Sequence, residues 1–84
     1  MAEIRRLAEG GTYDPDTLDI LSAVLAEAWT EVGHAFKIPA LVDEARNSMA
    51  KTLLYHARLG LRDPNALKAL VMLSLKQNYP KLVV

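Results

Sequence analysis

The chain has 84 residues, 51% of them hydrophobic and 24% charged, which suits one small domain with a shallow core and leaves no room for a two-domain enzyme. Ten Lys and Arg balance ten Asp and Glu, removing the uniformly basic signature of a nucleic-acid coat and the acidic signature of a disordered tail. With no cysteine there is no disulfide framework, no thiol nucleophile and no Cys-based zinc site, so stability falls to helix packing or self-association.

Residues 1–11 carry Ile4, Leu7 and Ala8 at helical spacing before Gly10-Gly11, which predicts a short helix or arm that orders only when docked. They lack the apolar run of a secretory leader, and the longest uncharged apolar runs, residues 20–26 and 69–75, are too short to cross a bilayer. The expected location is the cytoplasm.

Asp14-Pro15-Asp16-Thr17-Leu18 reads as a helix start. An N-cap Asp accepts from an orphaned backbone N–H, and Pro at the first helical position forfeits no intrahelical bond. From this cap Leu18, Leu21, Leu25, Ala28 and Val32 form an apolar stripe, widened by Ile20, Val24 and Trp29, with Asp19, Ala23, Glu27 and Glu31 opposite. The first helix is expected over 14–33, with Gly33 in the left-handed position that follows many helices. Phe36 and Ile38 then anchor a loop.

A second helix is expected over 39–60. Val42, Ala45, Met49, Leu53 and Ala57 face the core beside Ala50 and Leu54; Glu44, Asn47, Lys51, Tyr55 and Arg58 face outward, and Gly60 ends it. Only residues 61–63 separate it from the second cap, Asp63-Pro64-Asn65-Ala66-Leu67, so the two helices must be neighbours. The third helix is expected over 63–78, stopped by Tyr79-Pro80, with an apolar tail to residue 84. No strand pattern appears. The fold class is all-α, one small three-helix bundle over 1–84, or four-helix if residues 1–11 join.

Charge divides along the chain. Residues 9–44 hold eight acids against Lys37 alone, and residues 46–81 hold seven bases against Asp63 alone. Asp14, Asp16, Asp43, Glu44 and Asp63 are expected in first turns and Arg58 near a helix end, as the macrodipole favours. Glu27 and Glu31 sit near the wrong end of the first helix, which points to attraction toward the basic half, within one chain or between two.

Catalytic signatures are lacking. His34 and His56 have no base or ligand set nearby in sequence, and no His-Glu-x-x-His, Gly-x-Ser-x-Gly or phosphate loop occurs. Asp14, Asp16 and Asp19 lie where a calcium loop would need a turn glycine and a final Glu, and Pro15 starts a helix there instead. No catalytic, cofactor-binding or metal-ligating residue is assigned, and Trp29 is read as packing.

The third helix is apolar nearly all round. With Leu67, Leu70, Val71 and Ser74 turned toward the other helices, Met72, between Lys68 and Lys76, and the neighbouring Leu75 lack cover. The N-terminal Ile4 and Leu7 or the tail from Leu82 could fold over them, or a second copy could, as a symmetric homodimer. Tyr55, in the polar row with Lys51 and Arg58, is the aromatic residue expected at an interface.

The pattern Asp14-Pro15-x-x-Leu18-x-x-Leu21-x-x-Val24-Leu25-x-Glu27-Ala28-Trp29, with Ala57-x-x-Gly60-x-Arg62-Asp63-Pro64-x-x-Leu67, resembles a group of short bacterial helical proteins with no assigned activity. The resemblance implies a small intracellular helical fold and transfers no functional residue.

These readings lead to a non-enzymatic interaction module that associates with itself or with another helical protein. The alternative is a small dimeric nucleic-acid-associated or transcriptional regulator, pooling Lys51, Arg58, Arg62 and Lys68 from two copies. Zero net charge, and a third helix offering only Asn65, Lys68, Met72 and Lys76 to a groove, weigh against it.

Overall fold

The computed structural model describes Ile4 and residues 13–82. Among these residues the fold is all-α: α1 spans Pro15–Val32, a 3-10 turn follows at Gly33–Ala35, α2 spans Pro39–Arg58 and α3 spans Pro64–Asn78. Each helix packs against both of the others, so one core lies on the axis of a three-helix bundle. No strand occurs among the described residues.

Both Asp-Pro caps form. The Thr17 backbone N–H donates to Asp14 Oδ1 at 2.7 Å, and the Asn65 backbone N–H donates to Asp63 Oδ1 at 3.1 Å, with Pro15 and Pro64 opening their helices. The α1 start is held further by Tyr13, whose hydroxyl donates to the Leu54 carbonyl of α2 at 3.0 Å. Pro39 opens α2 behind Ile38, which supplies no side-chain cap.

The α2–α3 corner is built by Gly60, whose φ of +102° only glycine adopts without strain. The Leu61 N–H bonds the His56 carbonyl at 3.1 Å and the Gly60 N–H bonds the Ala57 carbonyl at 3.0 Å, the two closures of a Schellman ending. Arg62 folds back to donate to the Ala57 carbonyl, and to the Leu61 carbonyl at 3.0 Å.

Gly33 corrects the expectation for the other glycine. It is right-handed, with φ −58° and ψ −31°, and leads into the 3-10 turn. Its role is space: a Cβ there would lie 2.8 Å from Trp29 Nε1 and 2.9 Å from Cε2. The Trp29 indole therefore closes over bare backbone, stacks on Phe36 at 5.4 Å between centroids, and carries the Arg46 guanidinium 5.6 Å above it. Phe36 meets Tyr79 edge-on at 5.2 Å, tying the loop to the end of α3. Phe36 is thus an anchor, whereas Ile38 is 58% exposed and is not.

Burial on α1 and α2 follows the apolar stripes, with Leu21, Leu25, Met49 and Leu53 among the largest enclosed side chains. On α3 the buried row is Leu67, Val71 and Leu75 at four-residue spacing, with Leu70 and Ser74 only half-buried. Leu75 is 1% exposed, so its expected role as an uncovered interface residue is corrected, and Met72 is half-buried against the same core. Ile4, 0% exposed, joins that core, and the cover Leu75 needs lies within the chain. The rest of the expected 1–11 helix or arm, and the tail beyond Leu82, lie outside the described residues.

Two expectations about charge also resolve. Lys68 Nζ sits 3.1 Å from Glu27 Oε1 and also pairs with Glu31, so the two acids at the wrong end of α1 meet the basic half within one chain. Asp43 and Glu44 do not occupy the first turn of α2 as expected: with Pro39 as its first residue they fall in the second, beyond the reach of the macrodipole.

Candidate functional site

The five residues expected at an interface separate into two groups. Lys68, Met72 and Lys76 stand at four-residue spacing on the side of α3 that faces α1. There Lys68 bridges Glu27 and Glu31, and these carboxylates hold its ammonium above the ordinary lysine range, Glu31 more than Glu27. Met72 packs inward and Lys76 is exposed. With Leu75 enclosed, this side of α3 presents no continuous apolar surface.

Tyr55 belongs to the other side of the molecule, and the structure gives it company. It is 53% exposed and borders a surface groove of about 410 Å³ between α2 and α3, with Lys51 and His56 from α2 and Leu70, Leu73 and Gln77 from α3. Leu73 is equally exposed, at 53%. Tyr55 and Lys51 also border a second groove of about 310 Å³ with Tyr13, Leu54 and Arg58. The two residues thus form a ridge between adjoining depressions, and among the described residues no acidic side chain lines either.

Leu70, expected to turn toward the other helices, and Leu73, which the sequence does not single out, both line the groove; a helix apolar nearly all round has no contrast to orient it. Their signal was relational: with Gln77 they stand at i, i+3 and i+7, one helical face, whose partner across the groove is the Lys51–Tyr55 row of α2.

His56 meets the Tyr55 ring edge-on at 5.2 Å and shares the groove with the hydroxyls of Thr52 and Ser74; among the described residues no carboxylate lines it. His34 lies apart, exposed in the 3-10 turn. Among the described residues no group of three or more His, Asp or Glu side chains could hold a metal ion, and Asp14 is occupied as a cap. Hydrogen bonds from Thr17 hold the Asp14 carboxyl below the ordinary aspartate range.

At the opposite end of α2, the Tyr79 hydroxyl donates to Glu44 Oε1 at 3.0 Å. Burial, and the carboxylate that accepts its proton, push the phenol above its ordinary range. No helix among the described residues is long and apolar enough to cross a membrane. Comparison with known proteins finds no matching family model, no matching curated protein and no matching solved structure.

Proposed function

We propose that the protein is a non-enzymatic protein–protein interaction module of the cytoplasm that self-associates through the face where α2 meets α3. The observation that carries this reading is the pairing of Tyr55 and Leu73, two large side chains each 53% exposed, across one groove. An exposed aromatic beside an aliphatic residue, rimmed by polar groups, is the composition of an interface centre. The surface differs from the one expected around Met72 and Leu75, and it needs no rearrangement of the core to become available.

Two of the four bases that the nucleic-acid alternative requires are engaged: Lys68 bridges two carboxylates and Arg62 caps α2. The remaining pair, Lys51 and Arg58, contributes little counterion release. The interaction reading is therefore preferred.

Light scattering on wild type and on Tyr55→Lys and Leu73→Lys tests it. Wild type is expected at dimer mass at tens of micromolar, and each variant at monomer mass with unchanged helicity, because both side chains already face water. A monomeric wild type refutes self-association.

A further inference from the structure

The outward stripe of α2 runs Ala40, Glu44, Lys51 and Tyr55, at spacings of four, seven and four residues that keep them on one helical face. All four are exposed, with Ser48 half-buried between Glu44 and Lys51. The stripe is acidic toward the start of the helix and basic toward its end. The macrodipole does not account for this order, because Glu44 lies in the second turn and Lys51 lies near the middle. Intramolecular pairing among the described residues does not account for it either: the Glu44 carboxylate accepts from the Tyr79 hydroxyl and has further acceptor capacity, while no described acid lines the two grooves beside Lys51.

We infer that the occupant of this face is a second copy of the chain, docked with its α2 antiparallel to the first about a two-fold axis near residues 47 and 48. The inference rests on the self-association proposed above and specifies its geometry. In a parallel pairing Glu44 would face Glu44 and Lys51 would face Lys51, which is repulsive twice over. In the antiparallel pairing Glu44 of each copy faces Lys51 of the other, two ion pairs related by symmetry, and Tyr55 of each copy lies over the small side chain of Ala40 of the other. Ser48 and Asn47, short enough for close helix approach, fall at the axis. The order small, acid, small, base, aromatic, from Ala40 to Tyr55, is self-complementary only in this orientation, as a closed two-fold interface requires.

Sedimentation equilibrium on wild type, Glu44→Lys, Lys51→Glu and the double variant carrying both changes tests the arrangement, with thermal midpoints and circular dichroism confirming that each variant is folded. Wild type is expected to be a dimer. Each single variant should weaken it by about a hundredfold through two like-charge contacts. The double variant should regain the dimer, and an equimolar mixture of the two single variants should give a species of dimer mass. A dimeric wild type that neither single variant weakens, or a double variant no better than the singles, overturns the antiparallel arrangement and leaves self-association standing. A monomeric wild type overturns both. Mixed variants that assemble beyond dimer mass overturn the closed two-fold geometry in favour of a head-to-tail contact.

Discussion

Replacing Gly33 with alanine sets two physical effects of opposite sign against each other. Gly33 is right-handed, at φ −58° and ψ −31°, where alanine is at home. Taken alone, the reduced freedom of the unfolded chain would stabilise the protein by about 0.4–1 kcal/mol. Against this, the new Cβ would lie 2.8 Å and 2.9 Å from two atoms of the Trp29 indole. Those atoms belong to a rigid ring that stacks on Phe36 and lies beneath Arg46, so relief requires the whole indole to tilt. Overpacking of this kind costs about 1–3 kcal/mol, and the net expectation is a destabilisation of about 1 kcal/mol. For a domain of this size that lowers the thermal midpoint by about 4–8 °C. Urea unfolding followed by Trp29 fluorescence and by circular dichroism measures it. The same change in a Trp29→Leu background should become neutral or stabilising, since the obstructing ring is gone. A Gly33→Ala variant more stable than wild type would refute the view that glycine is there to admit the indole.

The other expectations concern caps, charge and metal. Asp63→Ala should cost about 1 kcal/mol, because the Asn65 N–H loses its acceptor at the α2–α3 corner; equal urea midpoints would show that Asp63 does not cap α3. Asp14→Ala should also destabilise, and in a pH-dependent way: the folded carboxyl titrates below its unfolded value, so its contribution is present above about pH 4 and lost as the pH falls further. The gap between the two urea curves should therefore close in acid. Lys68 behaves oppositely. Its folded pKa is raised, so its contribution is present below about pH 10.4 and lost at higher pH, and Lys68→Ala should approach wild type in alkali and in high salt. Adding zinc or calcium, or stripping with chelator, should leave the thermal midpoint in place; a shift of several degrees would reveal a ligand set.

What was legible in the sequence was what local chemistry decides. Asp14-Pro15 and Asp63-Pro64 announce helix starts because the cap, the fixed proline φ and the first leucine all lie within five residues, and both starts form there. Gly60 is readable for the same reason: a helix stops and a three-residue corner must follow. Gly33 has the same local setting and a different purpose, because the partner that requires it, the Trp29 indole, is placed by Phe36 and α2. Rotation of α3 was similarly out of reach. Leu67, Leu70, Val71, Met72, Leu73 and Leu75 offer no polar stripe against which to define a core face, so Leu75 was assigned outward and Leu73 was passed over. In the fold the Leu67, Val71 and Leu75 row faces inward while Leu73 lies at the groove. Glu27 and Glu31 were legible as a conflict with the helix dipole, and the conflict is removed by Lys68 from across the bundle.

The same reasoning, applied to charges that remain, separates the α2 face from the rest of the surface. Exposed apolar side chains alone single out nothing, since more than half of a folded protein's accessible surface is apolar, and Ile38 and Leu59 are exposed here as well. The acids Asp14, Asp63, Glu27 and Glu31 each have an occupation within the chain, as do the bases Arg62 and Lys68. Lys51 lies beside Tyr55 in grooves to which no described residue supplies a counter-charge, two helical turns from Glu44 on the same face. A charge order that the dipole does not explain and that the Tyr79–Glu44 hydrogen bond uses only in part, placed around an exposed aromatic, fits a surface with the reverse order. In the dimer proposed for this chain of zero net charge, the antiparallel copy of that same helix would supply it.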